Sequence, residues 1–589
     1  MKMKVFVCCL FVIANISNNG KASLDNAKYT TNLLDTIKNT DKCYRPCKFN
    51  VKPKRCEYKF KIEPTMAEGG AAVSINGMIP GPPIHACVND VIVIEVTNNI
   101  PGESIAIHWH GVDQKGTPFM DGVPMVTQCP IEYGTTYKYA FVASSPGTFF
   151  YHGDSVAHQS DGVYGLLVVN QPQPLEPHSS LYDFDRSNEN SLLIAAKFPK
   201  PMTGSLEDVS QMRPNALVIN DSKENTKLFV LPGYAYRLRL INAVAIECPV
   251  VVSIDKHDLI VISSDSKPVK PVPTRFVQLY PGERMDVVVR MAQGSGGYWV
   301  RVSGAGSCTG LTTDGMLIYS GFNYTSMLEE QDDSTRNVDT SKDLIINGQM
   351  LESLKDVTHN PAAKLVYLSI DKNVGGAHNN DFRYISDAIP KKPYYPAPLA
   401  LRENVVQING KSFLYPNAPL LLQPKDVKKD MLCNVGEEDS NIEPQCIQVI
   451  NAVPGETLEL ALVNEGFGGN DSYTFHMHGY NMQVVATWRH PHHHPISKEE
   501  FIRMNEEGKI DRNLQNPVIK DTITVPNKGF AIVRITPDRG GSWILECRSC
   551  ALSSLPAAII VQVPLILPKS LSESLQKCGS YRPPDVLLN

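Results

Sequence analysis

The 589-residue chain lacks any long apolar run beyond a short stretch at its amino terminus. A spanning helix needs about eighteen or more such residues, so no membrane span is expected. Positive charge is not in excess either: 56 Lys and Arg stand against 61 Asp and Glu, for a net charge of −5. With no basic tract to track phosphates, nucleic acid is not an expected partner. Long helical periodicity is scarce, and the carboxyl end, residues 566–589, is a tail too polar for a lipid-anchor signal. The chain has 42% hydrophobic and 20% charged residues, an ordinary globular composition that excludes disorder. Its length implies several domains. A protein, a small molecule or a metal remains as partner, and nothing in the composition chooses among them.

What is present begins with Lys2 and Lys4, the apolar run Val5 to Ile16, then small residues near Ala22 and Ser23. This is the anatomy of a secretory signal peptide over residues 1–23, so the mature protein is expected to be secreted and extracellular. Cys8 and Cys9 leave with it, and twelve of the 14 cysteines then face an oxidising compartment, where most should be disulfide-bonded. N-glycans are expected at the sequons of Asn220, Asn323 and Asn470.

One strand pattern occurs three times: Asp90 to Asn98, Pro232 to Asn242 and Pro454 to Asn464, each a turn, a period-two strand and a closing Asn. A second pattern also recurs, at Gly147 to His152, Gly297 to Val302 and Gly541 to Glu546, each after another strand-like stretch. The fold class is therefore all-β, with three copies of one sandwich or barrel domain. A cysteine-containing segment spans residues 24–56. The domains are expected over 57–172, 185–325 and 396–565, with the polar stretch 326–395 as an interdomain linker or elaborated loop.

The first repeat carries His108-Trp109-His110-Gly111 and the third His476-Met477-His478-Gly479, each about ten residues after its closing Asn. In a strand, His-x-His turns both imidazoles to one face, which suits a metal. The recurrence at matching repeat positions, and its absence from the middle repeat, points to a metal site. His152-Gly153-Asp154 aligns with Glu546-Cys547-Arg548, so four segments should converge between the first and third domains. A pseudo-symmetric site of this kind would hold eight histidines. Five are present, His108, His110, His152, His476 and His478, while Asp154, Glu546 and Arg548 occupy the other three positions.

These residues make the resemblance specific: the chain resembles the multicopper oxidases, and most of all their insect laccase-like branch, among the members with degenerate copper ligands. Beyond the histidine motifs it rests on Asn76-Gly77-Met78-Ile79-Pro80-Gly81-Pro82, Met120-Asp121-Gly122-Val123-Pro124, Gln128-Cys129-Pro130-Ile131, and Asp161-Gly162 followed by Gly165. Cys43, Cys47 and Cys56 resemble the cysteine-rich lead-in of the insect branch. The resemblance implies three cupredoxin-like domains, a blue type 1 copper in the third, and a trinuclear cluster between the first and third. Electrons from a phenol or Fe(II) would pass from the blue site to the cluster, which reduces dioxygen.

Several ligands of that pattern are absent. Tyr473 stands where the family's third motif begins with a type 1 His, and Glu546-Cys547-Arg548, then Leu552 and Ala557, replace its fourth motif. Cys547 is the sole surviving type 1 ligand, and a blue copper needs a thiolate with two imidazoles. By motif position His108 and His476 form the type 2 pair. One type 3 set becomes His110, His152 and Arg548; the other becomes His478, Asp154 and Glu546. A cation at about 4 Å from Arg548 is repelled by about 4 kcal/mol per unit charge at an effective dielectric near 20. The reading is therefore a catalytically inactive protein that acts by binding, without the four-copper complement. Arg548 is expected to pair with Asp154, Glu546 or both, in a buried salt bridge that replaces the metals. Two alternatives stay open: a copper-dependent oxidoreductase of laccase or ferroxidase type, or one residual ion. The ion would be a type-2-like copper at His108 and His476, or copper or zinc at His478, Asp154 and Glu546.

Cys547-Arg548-Ser549-Cys550 has no thioredoxin-like context and is expected as a structural disulfide. The resemblance implies a Cys129–Cys578 bridge, and Cys248 with Cys308 is a further expected pair. The tract Arg489-His490-Pro491-His492-His493-His494-Pro495 reads as a solvated loop with no assigned function.

Overall fold

The computed structural model describes residues 43–67, 70–203, 212–222, 226–322, 344–357, 363–373, 405–435, 446–466, 471–550, 556–567, 571, 575, 577 and 578. The signal peptide, Asn323, Asn470 and Leu552 lie outside these residues.

Alternating Val, Ile, Leu and Tyr side chains form strands because branched and aromatic residues pack well on a pleated face. The first repeated pattern gives the strands Val91–Asn98, Ala235–Asn242 and Thr457–Asn464. Each pairs parallel with an upstream strand, respectively Arg55–Ala67, Ser191–Lys197 and Ala363–Asn373. On its other side each pairs antiparallel, with Thr136–Val142, Arg284–Arg290 and Gly529–Ile535. The second pattern gives Gly147–Gly153, Gly297–Gly304 and Gly541–Cys547, antiparallel to Ile107–His110, Val250–Ile254 and Tyr473–Met477. Among the described residues the result is six sheets, two of four strands and four of six, two to each domain. In the first domain Ile92, Ile94 and Phe141 from one sheet meet Trp109, Tyr151 and Leu167 from the other in one core. All-β with three cupredoxin-like sandwiches is the fold.

The closing Asn does the same work in every copy. Asn98 Oδ1 accepts from the Ile100 N–H while its amide donates to the carbonyls of Glu103 and Ile131. Asn242 accepts from Val244 and donates to Cys248 and Leu279, and Asn464 accepts from Gly466 and donates to Asp471. A short side chain carrying both an acceptor and a donor satisfies backbone groups that the strand end leaves unpaired.

The stretch 326–395 differs from the expected linker. Ile345–Asn347 adds an edge strand beside Phe276–Leu279 of the second domain, and Ala363–Asn373 is an inner strand of the third. The third domain's sheet thus begins at Ala363, because the alternating segment from 363 to 373 buries Leu368 and Ile370 although polar sequence surrounds it.

Twelve cysteines form six disulfides: Cys43–Cys56, Cys47–Cys87, Cys129–Cys578, Cys248–Cys308, Cys433–Cys446 and Cys547–Cys550. The three expected pairs are among them. Buried charge joins the second and third domains: Arg284 grips Asp521 through both guanidinium nitrogens, at 2.6 and 2.5 Å. Lys520 lies 2.9 Å from Asp265 and 3.1 Å from Glu283.

Candidate metal centre between the first and third domains

Two pairs of antiparallel strands build the site from matching registers. His108 faces His152 across one pair, and His476 faces Glu546 across the other. All five histidines named from the sequence are buried and converge at the domain boundary. His108 Nε2 lies 3.2 Å from His476 Nε2, and His110 Nδ1 lies 3.3 Å from His152 Nε2. The His110 ring stacks on His476 with centroids 3.6 Å apart, and the His108 and His478 rings lie 3.9 Å apart.

Carbonyl oxygens only accept hydrogen bonds, which fixes the tautomers. His108 Nδ1 faces the Asp121 carbonyl at 2.8 Å, and His476 Nδ1 faces the Asp521 carbonyl at 3.0 Å. Both Nδ1 atoms therefore carry hydrogen. Burial holds both rings below the usual histidine range, in the neutral form. Two unprotonated Nε2 lone pairs consequently confront each other at 3.2 Å.

The second pair has the same character. His152 Nδ1 donates to the Gly153 carbonyl at 2.7 Å, so its Nε2 is bare. Thr522 donates its hydroxyl to Asp521, and His110 Nε2 therefore donates to Thr522 Oγ1 at 3.0 Å and leaves Nδ1 bare. Burial again lowers His110 and His152, with the Arg548 charge adding to the effect at His152.

His478 is different. Its Nδ1 donates to Asp121 Oδ2 at 2.7 Å, and Nε2 lies 3.4 Å from Glu546 Oε1. Burial alone would lower this histidine, but the Asp121 and Glu546 carboxylates outweigh it and push the ring up to about 9. Arg548 Nη1 lies 3.0 Å from the same Glu546 oxygen. Burial would raise Glu546; Arg548 and then His478 hold it well below the usual carboxylate range. The result is an alternating chain, Arg548, Glu546, His478, Asp121, of positive and negative side chains from both domains.

Arg548 thus pairs with Glu546 and not with Asp154. Its other nitrogen donates to Gln159 Oε1. Asp154 instead accepts the Ala106 N–H at 2.7 Å and lies 3.9 Å from His158. Burial pushes Asp154 up to about 7 and His158 down to about 4.

Cys547, expected from the resemblance as a surviving copper ligand, is joined to Cys550, so its sulfur is not a free thiolate. Tyr473 and Ala557 are buried. The site also recruits Asp121, Gln159, Asp521 and Thr522, whose contacts the sequence reading did not supply. Asp521 carried a signal: it is a carboxylate inside the strand-like stretch from Val518 to Val525. Burial would raise it, but Arg284 holds it well below the carboxylate range. Among the described residues two groups have ligand atoms within 4.8 Å of one another: His108, His110 and His476, and His108, Asp121 and His478.

Three β-sandwich domains with a buried histidine cluster between the first and third define a copper-protein architecture. The chain belongs to the multicopper oxidase family, whose models match residues 59–174, 197–324 and 413–550, more than half of its length. It is 26% identical over 579 residues to an L-ascorbate oxidase of Cucumis sativus, covering 90% of this chain and 92% of that one. Laccase-4 of Trametes villosa is 28% identical over 499 residues, covering 81% and 83%. A laccase from Botrytis aclada shares the fold with a TM-score of 0.68 and 22% identity, covering 95% and 94%. Fet3p, described as a multicopper oxidase that functions in iron import, has a TM-score of 0.68 and 18% identity, covering 91% and 94%.

Proposed function

We propose that this multicopper oxidase family protein acts by binding and has lost the family's copper-dependent oxidation. The observation that carries this reading is the chain Arg548–Glu546–His478–Asp121, a set of compensated charges at the positions of a cation cluster. A blue copper takes a thiolate and two imidazoles. With Cys547 in a disulfide and Tyr473 at a histidine position, that donor set does not fit. The trinuclear set does not fit in full either: both nitrogens of His478 face carboxylates, and Arg548 adds fixed positive charge beside His152.

The same reading takes the protein as secreted, since six disulfides suit an oxidising compartment. Among the described residues no helix is long and apolar enough to cross a membrane. The lead-in cysteines, now paired as Cys43–Cys56 and Cys47–Cys87, support the insect laccase-like branch. Its partner on this reading is a protein or a small molecule.

A second reading keeps one ion, copper or zinc, and the facing lone pairs of His108 and His476 favour it. Two nitrogens 3.2 Å apart, each about 2.0–2.1 Å from one ion, subtend roughly 100°. The residues fit; His110 lies close enough to be a third ligand. An ion there would supply Lewis acidity and a cross-link between the first and third domains. The alternative set of His478, Asp154 and Glu546 is not favoured, because Asp154 is turned to the Ala106 amide.

Elemental mass spectrometry on the secreted protein, after copper exposure, a chelator wash and desalting, distinguishes these readings when run beside diphenol and Fe(II) turnover. No retained metal and no turnover is the expected result. About one ion, lost in His108→Ala and His476→Ala, establishes the second reading. Near four coppers with turnover overturns both.

A further inference from the structure

The loop after the strand Met482–Arg489 carries four histidines within five residues: His490, His492, His493 and His494. Its backbone is tied down. The His490 N–H donates to the Lys528 carbonyl at 2.9 Å, and the His493 N–H donates to the His490 carbonyl at 3.0 Å. His490 Nδ1 then accepts the N–H groups of both His492 and His494, at 3.2 and 3.3 Å. Pro491 and Pro495 restrict the backbone further, and the His490 ring sits edge-on against Trp488. One imidazole thereby gathers the two flanking histidines around itself.

The consequence is a cluster of rings. Centroids of His490, His492 and His494 lie 5.3 to 6.4 Å apart. An ion bonded to two imidazoles at about 2.0 Å holds their centroids roughly 4.5 to 6.5 Å apart for ligand angles of roughly 90° to 180°. The separation that counts, between His492 and His494, is 6.4 Å and sits at the wide end of that window, so the two rings must turn inward to share an ion at a smaller angle. His492 and His494 are exposed, so their ring nitrogens turn toward a common ion at the cost of side-chain rotation alone. His490 is committed: with Nδ1 accepting two N–H groups, its neutral ring carries hydrogen on Nε2 and supports the loop without ligating.

We propose that this loop is a surface site for a divalent transition-metal ion, with His492 and His494 as its protein ligands and water completing the shell. Imidazole ligands and the Irving–Williams order make Cu(II) the preferred ion among Cu(II), Ni(II) and Zn(II). The site is independent of the interior histidines and faces solvent, so it loads and unloads by exchange.

The test titrates Cu(II) alone into the full-length secreted protein, previously stripped with a chelator, and follows heat and the copper EPR spectrum. One exchangeable Cu(II) with imidazole nitrogen couplings is expected, present also in His108→Ala/His476→Ala. The His492→Ala/His494→Ala variant is expected to bind at least about tenfold more weakly, with an unchanged thermal midpoint because both residues are exposed. His493→Ala is expected to bind like wild type. Absence of an exchangeable Cu(II), or undiminished binding in the double variant, overturns the proposal.

Discussion

His478 donates its Nδ1 hydrogen to the Asp121 carboxylate at 2.7 Å, across the boundary between the first and third domains. A ring held at about 9 in the folded chain, against 6.5 in the unfolded one, contributes stability that is fully present below pH 6.5. That contribution is lost as pH rises through 9, and the span corresponds to about 3 kcal/mol. Asp154, raised to about 7 by burial, weakens stability in the same direction but finishes earlier. Urea unfolding with chelator present, at pH 6.5, 7.5 and 9.5, should show the decline. His478→Gln should flatten its upper part; an equally steep decline in that variant would sink the assignment.

Arg548 and Glu546 form an ion pair with side chains 8% and 20% exposed. Arg548→Met is expected to cost about 1–3 kcal/mol, less than a wholly buried pair because Glu546 keeps His478. Arg503→Met, on an exposed helix surface, should stay within about 0.5 kcal/mol. A loss below about 0.5 kcal/mol for Arg548→Met refutes a stabilising role for the pair.

Arg284 and Asp521 are buried together between the second and third domains. Arg284→Met leaves the Asp521 carboxylate without its main counter-charge, and about 3–5 kcal/mol of stability should be lost. Equilibrium unfolding monitored by tryptophan fluorescence reads this directly. A variant as stable as wild type would show that the charges are compensated elsewhere.

Asn242 carries three backbone partners at one strand end. Asn242→Ala orphans the Cys248 and Leu279 carbonyls and the Val244 amide, for an expected loss of about 2–3 kcal/mol. Asn98→Ala removes the same three kinds of bond in the first domain and should behave alike. Thermal scans of the two variants check both the size and the equivalence.

Much of the fold was legible because a threefold repeat announces itself: the closing asparagines, the paired strand patterns and the histidine doublets recur at matching positions. The strand Ala363–Asn373 was not legible as part of the third domain, since its alternation is short and polar sequence flanks it. At the site, the histidines were readable from spacing. Asp521, Gln159 and the Asp121 contacts were not, because their partners lie hundreds of residues away; Asp121 and His478 are separated by 357 positions and Arg548 and Gln159 by 389.

By itself the sequence determined which chemistry the site contains: five imidazoles, three substituted positions and a cysteine with a neighbour three residues on. Periodicity and repeat position are local properties, and they suffice for that. Tertiary structure alone decided how these groups divide. Glu546, at the end of the strand Gly541–Cys547, takes the charge of Arg548, the first residue beyond it, while the Ala106 amide claims Asp154. Backbone carbonyls of Asp121 and Asp521 fix the tautomers that turn the lone pairs of His108 and His476 toward each other. Hydrogen-bond partners are assigned by proximity in space, and no spacing along the chain encodes them.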